Sequence, residues 1–127
     1  MRTIVLDMQS RLSAGAVRRA LVQEMTGYQV VISPKPDETA SECRALKPYA
    51  LLMEVTAYTP WKLEERLKIR KSVKRDTPEC HILLLVDEIA DRELAEAVKK
   101  TKQDGLIDAF FYTSASDNYL AAVLDSL

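Results

Sequence analysis

A chain of 127 residues, 47% hydrophobic and 29% charged, has room for one domain with one buried core, and this composition excludes disorder and low complexity. A formal net charge of −1 supplies no whole-molecule field toward nucleic acid or acidic lipid, and two cysteines, Cys43 and Cys80, are too few for a disulfide framework. No apolar run approaches the roughly twenty residues of a membrane span, and Asp7 interrupts the only apolar stretch at the N-terminus. The expectation is a single cytoplasmic domain over residues 1–127, off the membrane.

Two periods alternate along the chain. Thr3 to Asp7 (TIVLD) reads as a short strand ending in an acid. Val17, Leu21 and Met25 then recur at helical spacing, with Ser13 as the expected N-cap and Gly27 at the left-handed end. Tyr28 to Ile32 is a second strand. Pro34 and Pro36 break the chain before a short helix, capped by Asp37 and running to about Leu46, which Pro48 ends. Tyr49 to Val55 is apolar nearly throughout, as a strand covered on both faces should be. Pro60 opens a helix to about Lys74 that turns Leu63, Leu67, Ile69 and Val73 inward. His81 to Val86 is a fourth strand, Ala90 to Gln103 a fourth helix ended by Gly105, Ile107 to Tyr112 a fifth strand, and Asp117 to Leu127 a closing helix.

Five strands alternating with five helices predict an α/β fold: a doubly wound parallel sheet with helices on both faces. Right-handed crossovers favour the strand order 2-1-3-4-5, which is flavodoxin-like. Ligand sites in such sheets lie beyond the carboxyl ends of the strands, near the point where the winding reverses. Asp7 and Met8, Glu54, Val86 and Asp87, and Tyr112 and Thr113 occupy those ends here.

In element order, spacing and local phrases, the whole chain resembles the receiver domain of two-component response regulators. TIVLD and GYQVVIS look like the family's first two strands. KPYALLMEV resembles the strand leading to the phosphoacceptor, IRKSVKRDTPECHILLLV the third helix and fourth strand, and DGLIDAFFYT the approach to and course of the fifth. The resemblance implies a phosphorelay signalling domain, not an enzyme. Its chemistry uses an adjacent acid pair and an acceptor aspartate around Mg²⁺, with a hydroxyl and a lysine on the phosphoryl oxygens. This chain departs from that pattern. Met8 stands for the second acid, Glu54 for the acceptor, Val86 for the hydroxyl and Tyr112 for the lysine, with Thr113 following it where the family has proline. Ala109 stands where the family often carries a mobile aromatic.

These losses are chemical, not cosmetic. Met8 removes a charge and a ligand together, and Glu54 moves the nucleophilic oxygen by roughly 1.5 Å, where a misplacement of order 1 Å can cost a hundredfold. The resemblance therefore implies a degenerate receiver, without catalytic residues, with weak or no Mg²⁺ binding and no other cofactor. Asp7 and Asp87 are the acids expected to remain in its pocket. Glu54 is either a permanent mimic of the phosphorylated state or a relic acid at a wet strand end. Two alternatives stand beside this reading: a working phosphorelay acceptor using Glu54 or Asp87, and an unrelated flavodoxin-like domain binding a small ligand in the same crevice.

Other signals are weaker. Cys80 and His81 are strand neighbours facing opposite ways, so they make no catalytic pair. Gly15, Gly27 and Gly105 are too dispersed for a phosphate loop. Lys62 to Arg75 holds seven bases against two acids, and Asp87 to Leu127 nine acids against four bases. The plain reading is solvated helix faces; the sharper one is docking of a protein partner or a second copy. The resemblance places that contact on the fourth helix, fifth strand and fifth helix, with Glu93, Glu96, Phe110 and Tyr119 as its marks. Nucleic acid is not an expected direct partner, since beyond Trp61 no aromatics interleave with the bases.

Overall fold

Five parallel strands, β1 (Arg2–Asp7), β2 (Tyr28–Ile32), β3 (Ala50–Val55), β4 (His81–Val86) and β5 (Ala109–Tyr112), lie in the order β2-β1-β3-β4-β5 in a computed structural model that describes residues 1–127. Helices α1 (Arg11–Glu24), α2 (Pro36–Leu46), α3 (Leu63–Asp76), α4 (Arg92–Gln103) and α5 (Asp117–Asp125) connect and follow them. The expected α/β class, element order and strand order are all present.

Strand alternation divides the core in two. Ile4, Leu6, Leu52, Leu83, Leu85 and Phe111 face α1 and α5, where Leu21, Leu120 and Leu124 meet them. Val5, Leu51, Met53, Ile82, Leu84 and Val86 face the other way, against Cys43 of α2, Val73 of α3 and Val98 of α4. Because both faces are covered, the middles of the central strands are apolar, and Ile4 to Leu6, Ala50 to Met53 and Ile82 to Leu84 are fully buried. The register pairs Asp7 with Met53, Glu54 with Leu85, and Val86 with both Val55 and Tyr112.

Several ends differ from the sequence expectation for local reasons. Ser10, not Ser13, caps α1: its side chain accepts the Ser13 N–H at 3.1 Å. Lys35 precedes α2, with Pro36 in its first turn, and Asp37 lies inside the helix. Pro60 lies outside α3, in a loop closed by Trp61 N–H to Tyr58 O and Thr56 N–H to Trp61 O. Helix α4 starts two residues late because Asp87 Oδ1 holds the amides of Ile89 and Ala90 in a turn, and Asp91 is the cap, accepting from Leu94 N–H at 3.0 Å. Strand β5 starts at Ala109. Just before it, the Asp108 carboxylate rather than a backbone carbonyl takes the Ile82 N–H, at 2.8 Å. Gly27 and Gly105, at φ 81° and 79°, supply the left-handed turns after α1 and α4.

Candidate functional site at the carboxyl edge of the sheet

Asp7 ends β1 with its side chain among α2 and α3, where it is 1% exposed. A carboxylate so removed from water needs a partner. Arg66, in the second turn of α3 and 0% exposed, supplies it. Its Nη1 donates to Asp7 Oδ2 at 2.7 Å, and its Nη2 to Asp7 Oδ1 at 3.2 Å and to the Asp7 carbonyl at 3.0 Å. Nε donates to the Glu54 carbonyl at 2.7 Å, so one guanidinium ties together the ends of β1 and β3. This forked, bidentate geometry is one that lysine could not reproduce.

A hydroxyl chain completes the network. Thr39 of α2 donates to Asp7 Oδ2 at 2.7 Å, and Ser33, just past β2, lies 2.8 Å from Thr39 Oγ1. Both hydroxyl residues are buried. Five segments (the ends of β1, β2 and β3 with α2 and α3) therefore meet on one buried charge pair.

Glu54 is one residue beyond the register partner of Asp7, so its side chain emerges on the opposite face. Half-buried, it accepts the Gln9 N–H on Oε1 at 2.8 Å, and its second oxygen has no protein donor. Met8 is buried on that same face. Asp7 and Glu54 thus share an edge and are joined through Arg66, but their carboxylates diverge. Asp87 is exposed and occupied as a turn acceptor. The acidic pocket expected from Asp7 and Asp87 is not formed: one acid is sealed under a guanidinium, the other faces solvent.

The remaining strand-end residues also separate by face. Val86 is fully buried against the α4 side, and Tyr112 packs there edge-on to Phe110, with centroids 5.6 Å apart. Thr113 is exposed and only its amide is engaged, donating to Val86 O. Glu93 and Glu96 stand exposed on α4. Tyr119 is 56% exposed and meets the buried Phe111 edge-on, so it and the half-buried Phe110 flank the open edge of β5.

The family resembled implies Mg²⁺, and the donor set does not fit it. The ion wants hard oxygens in near-octahedral array. Both Asp7 oxygens already accept from Arg66, Met8 brings a soft thioether, and no three carboxylate, imidazole or thiol groups gather anywhere in the chain. Nucleophilic alternatives are closed as well. Burial pushes the thiols of Cys43 and Cys80 up to about 12, so neither is a thiolate at neutral pH. His81 lies at the opposite edge of the sheet, 3.6 Å from Asp108.

Arg66 is the residue that sequence reasoning missed, having been counted among the solvated bases of Lys62 to Arg75. A signal was present. Leu63, Ile69 and Val73 mark the inward stripe of α3, and position 66 falls on it, so a charge there calls for a buried partner.

Comparison with known proteins agrees at the level of fold. No protein-family model matches the sequence, and no curated protein matches it by sequence. Solved structures do. A DNA-binding response regulator of the LuxR family from Staphylococcus aureus superposes with a TM-score of 0.77 at 8% identity, over 99% of this chain and 98% of that one. A CheY-like response regulator receiver domain from Methanospirillum hungatei JF-1 gives 0.76 at 12% identity, over 99% and 92%. A Burkholderia pseudomallei response regulator carrying a phosphorylated aspartic acid and a calcium ion gives 0.71 at 20% identity, over 98% and 66%. The fold is that of response-regulator receiver domains.

Proposed function

We propose that this chain is a degenerate receiver domain, a non-enzymatic signalling module that acts through protein–protein contact without ordinary aspartyl phosphorylation. One observation carries the reading: the Arg66 guanidinium is seated on Asp7, where a receiver of this fold would present a carboxylate to a metal ion. A fixed internal cation already neutralises that charge. A divalent ion would have to displace a fully buried, multiply bonded side chain to reach it. Mg²⁺ binding is accordingly expected to be weak or absent, and millimolar Mg²⁺ should leave the melting temperature unchanged.

Glu54 reads best as a relic acid that has become a local staple. Its contact is with the Gln9 amide of the β1–α1 loop, and at the two positions that would read out a phosphoryl group Val86 has no hydroxyl to offer and Tyr112 no ammonium. Communication then falls to the surface of α4, β5 and α5, where exposed Glu93 and Glu96 lie beside the aromatic edge of Phe110 and Tyr119. A basic partner, or the exposed bases on α3 of a second copy, is the complement. Both cysteines are free and buried, which suits the reducing cytoplasm, and no helix is long and apolar enough to cross a membrane.

The test is intact mass after incubation with acetyl phosphate and Mg²⁺. Wild type and Glu54→Asp should show no gain of about 80 Da, the mass of one phosphoryl group. Restoring Met8→Asp, Val86→Thr and Tyr112→Lys beside Glu54→Asp should still fail until Arg66→Leu releases Asp7. Phosphorylation of wild type would establish the working-acceptor alternative. Light scattering across a salt series tests the contact face: association should weaken with salt and on Glu93→Lys or Glu96→Lys, and survive Glu54→Gln. Loss of association on Glu54→Gln alone would instead mark Glu54 as a phosphomimic.

A further inference from the structure

The face of the sheet edge opposite the Asp7–Arg66 pair is open. Between α1 and α5 lies a cavity of about 310 Å³, at the lower end of the roughly 300–1,000 Å³ typical of small-molecule sites. Met8, Leu52, Leu85 and Phe111 form its apolar walls. Two carboxylates border it, Glu54 and, in the first turn of α5, Asp117. No lysine, arginine or histidine lines it. One Glu54 oxygen is unclaimed by any protein donor, and the Asp117 side chain makes no hydrogen bond or ion pair. The cavity is thus a largely apolar chamber with negative charge at its border, half-buried at Glu54 and exposed at Asp117, and no cationic side chain against it. Met8 is the reason for its character, putting an apolar wall where an acid would have made a polar floor.

We propose that this cavity is a binding site for a small organic cation, an amine on an aromatic or alkyl body. The apolar body is buried against Met8, Leu52, Leu85 and Phe111, where displacing water from apolar walls supplies the drive. The ammonium group donates to the half-buried Glu54 carboxylate, where a charge-assisted hydrogen bond is stronger than between exposed ions, and exposed Asp117 at the rim adds a longer-range attraction. Carboxylates and phosphates are excluded by the same two acids. Occupation would tie α1 to the amino end of α5, which belongs to the surface proposed for partner contact, so the ligand is placed to modulate that contact. The site does not depend on whether Glu54 accepts phosphate, because binding is measured with no phosphodonor present.

The probe is 2-phenylethylamine, with 2-phenylethanol and phenylacetate as its neutral and anionic counterparts, titrated into the 127-residue chain and followed by amide ¹H–¹⁵N spectra. The amine should bind in the millimolar range and shift the amides of Gln9, Glu54, Thr113 and Asp117. It should bind up to about fivefold tighter than the alcohol, the upper end of what one partly exposed charge pair supplies, and phenylacetate should bind weakest. Glu54→Gln combined with Asp117→Asn should erase the difference between amine and alcohol. Ala16→Trp, an exposed α1 position at the cavity, should abolish binding of all three while leaving the rest of the spectrum in place. Absence of shifts at these amides, equal binding of amine and alcohol to wild type, or tighter binding of phenylacetate would each overturn the proposal.

Discussion

On one face of the sheet's carboxyl edge, Asp7 is sealed under Arg66 and tied by Thr39 and Ser33 to the neighbouring segments. On the other face, Met8 and Glu54 border a cavity, and only the Gln9 amide holds the Glu54 carboxylate. The two acids are neighbours in the sheet but differ in almost every physical respect. Asp7 is dry, and every charge there has a fixed partner, so its interactions are strong and its chemistry is closed. Glu54 is half in water and incompletely paired, so it contributes little to stability and stays open to a ligand. Burial with a partner makes an acid structural; partial exposure without one leaves it available.

The sharpest way to break this contrast is to remove the guanidinium. Arg66→Ala leaves Asp7 buried and uncompensated, and should cost about 3–5 kcal/mol in urea denaturation. Replacing both members, Arg66→Met with Asp7→Leu, should recover most of that loss, since well-packed apolar pairs often match a buried ion pair. A cost below about 1 kcal/mol for Arg66→Ala would show that the pair is not the lock described here.

Next in size is the hydroxyl chain. Thr39→Val deletes a donor to Asp7 and a partner of Ser33, and should cost about 1–3 kcal/mol. In the Arg66→Met, Asp7→Leu background the same change should cost clearly less. An undiminished cost there would mean that Thr39 acts by packing alone.

On the open face the expectation is reversed. Glu54→Gln keeps an oxygen to accept the Gln9 N–H, so stability should change by less than about 0.5 kcal/mol. A loss comparable to that of Arg66→Ala would erase the distinction between the two faces.

The smallest effect belongs to a surface pair away from the edge. The Arg44 hydrogen bond, 3.1 Å long, holds the Asp76 carboxyl below its ordinary value of 3.8. A lowered folded-state value stabilises above the unfolded-state pKa and is lost as pH falls through the folded one. The thermal melts of wild type and Asp76→Asn should therefore differ slightly at neutral pH and converge in acid, as pH falls through the lowered folded-state value. A gap that stayed constant with pH would exclude a charge origin.

Much of this protein was legible from residue order. Apolar runs bounded by glycine, proline and cap residues located all five strands and all five helices, because a strand covered on both faces has few alternatives to Val, Ile and Leu. The strand order followed from right-handed crossovers, and the resemblance to receivers singled out Asp7, Met8, Glu54, Val86 and Tyr112 as the positions to examine. Helix starts were less legible, since Ser10 against Ser13, and Asp91 against Ala90, turn on single side-chain bonds that a pattern does not show. The tertiary structure alone decided which acids face which way and what neutralises them. Asp7 and Arg66 are separated by 59 residues, and their pairing exists only because α3 packs across the ends of β1 and β3. A sequence lists charges without saying which are dry, and desolvation determines which of them must find a partner.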